Sequence, residues 1–250
     1  FGVKDEEAFP ALLESSGKQR EILNLGVPGY GIDQIYLSYK EIAKQYRPNI
    51  VLIGIFPEDF WRATRAFADS GHAKPYFTVG LFGKLTLRNV PVPPPFTLTR
   101  GQFPPVIEKN TAQSLLNMSV LYRLARKPFM KLLRNMRLID PDTSDEWVLG
   151  RAILGQMIED VRSEGAVPVM VLLPPRDWAE SSRKTTQERS LVRFAEREKV
   201  DLINLRPAFN DAVAKDGLET YYIKHDWHWT PQGHALAARA IEDYFNQKGN

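Results

Sequence analysis

Two residues near the carboxyl end of the chain have the types and the spacing of an acid–base pair. Asp226 and His228 stand two residues apart, shortly before a helix that the pattern predicts to begin near Pro231. In extended chain, residues two apart place their side chains on the same side. The Asp226 carboxylate can then accept a hydrogen bond from one ring nitrogen of His228, which leaves the other nitrogen to act as a base. The spacing therefore favours proton transfer to and from a nucleophile.

A purely structural role is the alternative for this segment. A helix-capping loop with aromatic packing would leave His228 as an ordinary surface residue, and an isolated Asp-x-His pair would favour that role. Here Trp229, Pro231 and Gly233 follow at fixed spacings. Together they favour the catalytic interpretation.

The other histidines suggest no second centre. His225 and His228 could form a metal pair, with Asp226 or His234 as further ligands, because histidine is a common zinc ligand. The sequence has no cysteine and no second cluster that would complete such a set. We therefore expect neither a metal nor another cofactor. His234 is expected to cap or pack at the start of the closing helix, and His72 to be exposed.

A glycine-rich loop is the second candidate element. Residues 26–31 have the sequence GVPGYG and follow the apolar run Glu21–Leu25, which is predicted to be a strand. A glycine after a strand lets the backbone approach a ligand closely, so the N–H of Gly29 can point at developing negative charge. The alternative is a plain strand-to-helix turn.

Composition excludes several classes of protein. The 250 residues include 43% hydrophobic and 25% charged residues, which is ordinary globular usage and rules out a chain disordered throughout. The longest apolar runs are far shorter than the roughly 20 residues of a membrane-spanning helix. The absence of cysteine excludes disulfides, thiolate metal sites and a cysteine nucleophile.

The formal net charge of +3 comes from one segment. Arg123–Arg137 holds six basic residues and no acid, so the rest of the chain is slightly acidic. Contact with an anionic membrane or an acidic polymer would suit such a segment. A solvated helix is favoured instead, because Pro128 would break a long helix. Nucleic-acid binding is not expected, since no recognised module is present.

Short apolar runs alternate with amphipathic stretches along most of the chain. This alternation predicts the α/β class, with a mostly parallel sheet that helices cover on both faces. Ligands in such sheets bind at the carboxyl ends of the strands. A proline-rich excursion at Gly71–Lys109 is predicted to cross these ends, with a small hairpin at Tyr76–Leu87. The predicted strands are Glu21–Leu25, Asn49–Ile55, Val167–Leu173 and Val200–Asn204, and the helices are Ile32–Tyr46, Ser144–Gly165, Thr186–Lys199 and Gln232–Gln247.

The block from Asp226 to His234, DWHWTPQGH, resembles the last conserved block of the SGNH (GDSL-type) hydrolase family. Its Asp-x-His-Trp part is also similar to alginate O-acetyltransferase-like members. The segment 24–31, NLGVPGYG, resembles the family's second block, whose glycine N–H helps to bind an oxyanion and matches Gly29. The resemblance implies a three-layer α/β/α fold and a Ser-His-Asp triad in which His228 is the base and Asp226 orients it.

The third family block is only partly matched. It usually contains Gly-x-Asn-Asp, with the asparagine as a second oxyanion donor. After the strand Asn49–Ile55 this chain has Glu58 where the asparagine is expected, and Asp59 matches the aspartate. An ionised Glu58 accepts hydrogen bonds only and would repel an oxyanion. Either Glu58 turns away, or it is protonated, or another group supplies the donor; Asp59 is expected to order the loop.

The first family block, Gly-Asp-Ser-x-Thr or Ser, carries the nucleophile at the end of the first strand. The chain opens with FGVKDEE, which resembles the residues that follow this block. The resemblance therefore implies that the serine and its strand lie upstream of Phe1. In that fold the strand would lie between Glu21–Leu25 and Asn49–Ile55. The serines at 15, 16 and 119 are not expected to replace it.

The resemblance covers Phe1–Asp59 and about Ser144–Phe245. We therefore predict one SGNH-hydrolase-like domain over residues 1–250, with the proline-rich excursion at 71–109 and a basic helical segment at 115–137. The resemblance implies a serine-dependent acyl or acetyl esterase whose substrate is a small-molecule or carbohydrate ester. A polysaccharide O-acetyltransferase-like enzyme and a non-catalytic binding domain on the same fold are the alternatives. By the same analogy the protein would be extracytoplasmic, either periplasmic or secreted.

Overall fold

The computed structural model describes residues 2–16, 20–68, 70–80, 83–92, 128–129, 142–181 and 183–249. The predictions for the basic segment 115–137 and for residues 93–109 of the excursion lie outside these residues, apart from Pro128 and Phe129.

The α-helices in the described ranges are α1 (Phe9–Glu14), α2 (Ile32–Glu41), α3 (Glu58–Ala63), α4 (Asp145–Ser163), α5 (Arg176–Ala179), α6 (Thr186–Glu198), α7 (Arg206–Asp216), α8 (Leu218–Tyr221) and α9 (Pro231–Lys248). The strands are β1 (Ile50–Ile55), β2 (Tyr76–Val79), β3 (Leu85–Arg88), β4 (Val167–Leu172) and β5 (Asp201–Asn204).

Three of the described strands form a parallel sheet in the order β1–β4–β5. β4 is central: Ile50 pairs with Val167 at one end of β1, and Leu172 pairs with both Ile55 and Asn204. The run VPVMVL of β4 is buried from its second residue onward. A continuous apolar run is typical of a strand covered on both faces.

Helices cover both faces of this sheet. Alternate side chains of a strand point to opposite faces, and those of β4 join two different clusters. Met170 and Leu172 lie in one cluster with residues of α2, α3, α4 and α6. Val169 and Val171 lie in the other with residues of α1, α7, α8 and α9. The fold is therefore a three-layer α/β/α arrangement, as predicted.

The three longest described helices, α4, α6 and α9, each follow a serine or threonine whose side chain caps them. The Ser144 hydroxyl accepts from the Trp147 N–H at the start of α4, at 3.2 Å. Thr230 accepts from the Gly233 N–H at the start of α9, also at 3.2 Å. Such caps satisfy backbone donors that the helix itself leaves unpaired. The second cap matters for function, because it fixes the point where the segment containing Asp226 and His228 enters α9.

The hairpin in the excursion is present. β2 and β3 pair antiparallel from Tyr76–Arg88 to Val79–Leu85, and all four β2 side chains are buried. Phe77 and Val79 join the cluster of α2 and α4. The hairpin is thus part of the main core. Within the described ranges, no helix is both long and apolar enough to cross a membrane.

Two predicted elements differ from the structure. Glu21–Leu25 forms no strand, and Leu23 is 47% exposed. Its apolar run is short, and only Ile22 packs, against the cluster of α1 and α9. The helix predicted over Ile32–Tyr46 ends as an α-helix at Glu41 and continues as a 3₁₀ turn, Ala43–Tyr46. Such tightening is common at the carboxyl end of a helix.

Candidate active site

The candidate acid–base pair lies on a short closed loop between α8 and α9. Tyr222 and Trp229 form an antiparallel bridge at its base. Inside this bridge the Ile223 N–H donates to the His228 carbonyl, and the Asp226 N–H donates to the Ile223 carbonyl, both at 3.0 Å. The backbone of both candidate residues is therefore hydrogen-bonded to one residue, Ile223.

The side chains of the pair meet as the spacing predicts. His228 Nδ1 lies 2.6 Å from Asp226 Oδ1, which also accepts from the backbone N–H of His228 at 3.1 Å and of Trp227 at 2.6 Å. The hydrogen bond from His228 is the main reason that the pKa of the Asp226 carboxyl is lowered. A carboxylate only accepts hydrogen bonds, so the proton of a neutral His228 sits on Nδ1 and Nε2 is the basic nitrogen. The His228 side chain is 47% exposed and can meet a substrate.

Trp229 and Gly233 hold this loop to the core. The Trp229 indole is buried and lies 4.8 Å from the Phe209 ring, between centroids. Gly233 is buried as the third residue of α9, and a Cβ atom there would come within 2.8 Å of the Trp229 Cβ and closer still to the Tyr221 carbonyl oxygen. Only glycine fits this approach without a shift of the backbone. The residues that marked the motif in the sequence thus position the loop.

The other histidines are not part of the pair. His234 Nδ1 accepts from the Phe9 N–H at 3.3 Å, and its ring stacks on Phe9 at 6.2 Å. Burial lowers the pKa of His234, so this ring is neutral and packs, as expected. His225 and His72 are exposed. Among the residues that the structure describes, no group of three or more histidines and carboxylates could hold a metal ion.

Gly29 has the left-handed backbone that glycine favours, with φ at 78°. It is exposed, and no residue in the described part of the chain accepts a hydrogen bond from its N–H. Gly31 then caps α2, with a Cβ position only 2.7 Å from the Ala63 nitrogen at the end of α3. This contact joins the base of the glycine loop to α3. The Gly29 N–H is therefore available to a ligand.

Glu58 and Asp59 are the first two residues of α3, directly after the short turn that follows β1. Asp59 is buried, and its carboxyl accepts from the Phe56 N–H at 2.8 Å and from Arg62 at 3.0 Å. It holds the turn closed, and burial raises its pKa to about 7. Glu58 pairs with Arg62 at 3.0 Å, and its side chain is 46% exposed. A carboxylate paired in this way supplies no hydrogen-bond donor.

A cleft of about 230 Å³ opens beside Glu58. Its walls come from α3, the start of α4 and α6, and they combine aromatic rings with carboxylates and one amide. The exposed ring of Trp61 stands on one wall. The lining residues are Pro57, Glu58, Phe60, Trp61, Asp142, Ser144, Glu146, Trp147 and Gln187.

Sequence patterns did not identify Arg176, the first residue of α5 after β4. Its Nη1 donates to the Ile223 carbonyl at 2.7 Å, so it contacts the loop of Asp226 and His228. The only available signal was its place in the segment that follows a buried strand, where ligands bind in α/β folds. The serines at 15 and 16 lie at the end of α1, where their hydroxyls donate to the carbonyls of Leu12 and Leu13. Ser119 lies outside the described residues.

No protein-family model and no curated protein sequence matches the chain. Its fold is similar to that of an acetyl xylan esterase, AlAXEase, with a TM-score of 0.56 and 12% identity over 97% of this chain and 92% of the esterase. It is also similar to a variant of Axe2, an acetyl-xylooligosaccharide esterase from Geobacillus Stearmophilus, with a TM-score of 0.53 and 14% identity over 94% and 80% of the two chains. The predicted α/β fold is confirmed: the chain has the fold of these two esterases.

Proposed function

We propose that the complete protein is a serine-dependent ester hydrolase of the SGNH (GDSL) type, acting on acetyl or other acyl esters. The observation that carries the proposal is the 2.6 Å contact between Asp226 Oδ1 and His228 Nδ1 on a half-exposed loop. This contact makes Nε2 of His228 the basic nitrogen and gives its imidazolium form a carboxylate partner. A domain that only binds a ligand has no evident use for such a pair.

In the proposed reaction His228 takes the proton of a serine hydroxyl, and the serine oxygen attacks the ester carbonyl carbon. The N–H of Gly29 and that of the serine would stabilise the oxyanion. His228 then gives its proton to the departing alcohol oxygen as the C–O bond breaks, and an acyl-enzyme remains. Water, deprotonated by His228, attacks the acyl-enzyme, and the serine leaves with the proton from His228. Asp226 orients the imidazole throughout.

The serine would belong to residues that precede Phe1. Two contacts support this position. A Cβ atom on Gly2 would overlap Ile223, so the start of the described chain lies against the loop of Asp226 and His228. The Phe9 N–H bonds to His234, on the first turn of α9. In addition, within the described residues β1 is an edge strand that pairs only with β4, which is compatible with a further strand beside it.

A carbohydrate ester is the substrate class we favour. AlAXEase is an acetyl xylan esterase, and Axe2 is an acetyl-xylooligosaccharide esterase. Trp227, between the two residues of the pair, is 54% exposed, and Trp61 on the cleft is 47% exposed. Exposed indole rings offer a flat apolar surface with a polar edge, which suits the face of a sugar ring.

Glu58 supports a second candidate, a binding domain that retains the fold without turnover. Its carboxylate stands where the resemblance expects an oxyanion donor, and its ion pair with Arg62 keeps it an acceptor. Transfer of the acyl group to a polysaccharide hydroxyl is a variant of the first proposal. It uses the same triad and differs only in the group that attacks the acyl-enzyme.

Fluorophosphonate labelling of the protein expressed from its complete coding region tests the proposal. We expect one labelled serine, and loss of both labelling and p-nitrophenyl acetate hydrolysis in His228→Gln. His225→Gln is the matched control, since His225 is exposed in the same loop, and it should retain both. Acetate release measured with and without xylooligosaccharide acceptors separates hydrolysis from transfer. A wild-type protein that takes up no label would overturn the hydrolase and support the binding domain.

A further inference from the structure

Arg176 connects the central strand to the loop of Asp226 and His228. It is the first residue of α5, four positions after the last residue of β4, and its side chain is half-buried. Its Nη1 atom donates to the Ile223 carbonyl oxygen at 2.7 Å. A hydrogen bond with a charged donor is roughly twice as strong as one between neutral groups. Arg176 therefore holds Ile223 firmly.

Ile223 in turn holds the backbone of both residues of the pair. The carbonyl that Arg176 contacts also accepts from the Asp226 N–H at 3.0 Å. The N–H of Ile223 donates to the His228 carbonyl at the same distance. A displacement of Ile223 would therefore move Asp226 and His228 through separate hydrogen bonds, and would change the distance between their side chains.

The segment that contains Arg176 is itself fixed. The Tyr222 hydroxyl, which is buried, donates to the Pro174 carbonyl at 2.9 Å, two residues before Arg176. After Arg176, the Trp178 carbonyl accepts from Arg206 and from Asn210, each at 3.1 Å. The position of Arg176 is thus set by β4 and α7, which are parts of the core.

We propose that Arg176 is a positioning residue that keeps Asp226 Oδ1 within hydrogen-bonding distance of His228 Nδ1. It acts through Ile223 and supplies no proton to the reaction. The proposal predicts that the pair loosens when the guanidinium is removed while the fold remains. Its consequence for turnover rests on the proposed hydrolase function, but its consequence for the pair does not.

The first test uses the protein expressed from its complete coding region and needs no activity. Two NMR signals report on the pair: the proton on His228 Nδ1, assigned by its loss in His228→Gln, and the pH titration of the Asp226 carboxyl carbon. In Arg176→Met we expect faster exchange of the Nδ1 proton with water, and a rise of the Asp226 pKa toward its ordinary range. Arg176→Lys should restore part of both signals, because it keeps a charged donor.

Arg162→Met is the matched control. Arg162 also donates to backbone carbonyls, those of Glu198 and Lys199, but these lie at the end of α6. The control should leave both NMR signals unchanged. A folded Arg176→Met protein with an unchanged Nδ1 proton and an unchanged Asp226 titration would overturn the proposal. If Arg176→Met fails to fold by circular dichroism, Arg176→Gln replaces it, since glutamine removes the charge and shortens the side chain: a folded Arg176→Gln protein with both signals unchanged would overturn the proposal.

The second test measures the esterase activity of the same complete protein. A displacement of about 1 Å in a catalytic group can cost on the order of 100-fold in rate, so kcat should fall by roughly that factor in Arg176→Met with KM little changed. A fall in stability with kcat retained would show a structural role only and would overturn the positioning role. If the wild-type protein has no esterase activity, the proposed function fails, and the NMR result still decides the role of Arg176.

Discussion

Gly233 packs between Tyr221 and Trp229, the residues on either side of the loop that carries Asp226 and His228. Replacement by alanine would add a Cβ atom 2.8 Å from the Trp229 Cβ, and closer still to the Tyr221 carbonyl oxygen. Carbon atoms pack best at about 3.5–4.0 Å. Either α9 or the base of the loop must therefore move by several tenths of an ångström in Gly233→Ala.

The expected change in the free energy of unfolding combines one stabilising effect with two destabilising ones. Alanine is favoured over glycine in a helix interior by about 1 kcal/mol. Overpacking of a filled site costs about 1–3 kcal/mol. The Tyr221 carbonyl also accepts from the Thr230 N–H at 3.0 Å, and weakening that bond costs up to about 1 kcal/mol more. Gly233→Ala should therefore lower the free energy of unfolding by up to about 3 kcal/mol.

Gly155→Ala is the matched control for this substitution. Gly155 lies inside α4, and a Cβ there would meet no atom within 4 Å. It should raise the free energy of unfolding by about 0.5–1 kcal/mol, through helix propensity alone. Urea unfolding followed by circular dichroism measures both changes. A Gly233→Ala protein as stable as Gly155→Ala would refute the argument that Gly233 is required by close packing.

Three further changes test the residues around the site. Folding raises the pKa of Asp59 from 3.8 to about 7. The contribution of Asp59 to stability is therefore fully present at low pH and is lost as the pH rises through 7. In urea unfolding between pH 4 and 8, the free energy of unfolding of the wild type should fall by up to about 4 kcal/mol relative to that of Asp59→Asn. Glu58→Asn places an amide donor where the resemblance expects one, so kcat of the complete protein for p-nitrophenyl acetate should rise on the order of 100-fold. An unchanged kcat would show that Glu58 lies away from the oxyanion. Trp227→Ala should change stability by less than about 0.5 kcal/mol and raise KM for acetylated oligosaccharides but not for p-nitrophenyl acetate.

Local patterns in the sequence were enough to predict most of the layers. The run VPVMVL of β4 is recognisable because a strand buried on both faces needs a continuous apolar run. The capped helix α4 is recognisable because one buried face repeats apolar residues at the helical period. The pair of Asp226 and His228 was predictable for a similar reason, since the contact spans two residues. Its backbone, however, is a closed loop with His225 in a left-handed conformation, φ 59°, rather than simple extended chain.

The contacts that fix the site could not be predicted in this way. Arg176 and Ile223 are 47 residues apart in sequence, and Lys74 and Asp33 are 41 apart. A single polar residue carries no periodic signal, so its partner is unknown until the chain is folded. The error at Glu21–Leu25 has a related cause. An apolar run becomes a strand only when it finds a neighbour to pair with, and that depends on other parts of the chain.

The buried pair of Asp33 and Lys74 extends the same principle to the glycine loop. Asp33 lies two residues after Gly31, and Lys74 leads into β2; their side chains form an ion pair with 0% and 4% exposure. Burial raises the pKa of Asp33 to about 6 and lowers that of Lys74. Because burying two charges costs about as much as their attraction returns, the pair is poorly suited to add stability. Its evident effect is geometric, since it fixes the hairpin of β2 and β3 to the first turn of α2, which begins three residues after Gly29. The loop of Asp226 and His228, and the helix that follows the glycine loop, are therefore each held by a cation from a distant segment.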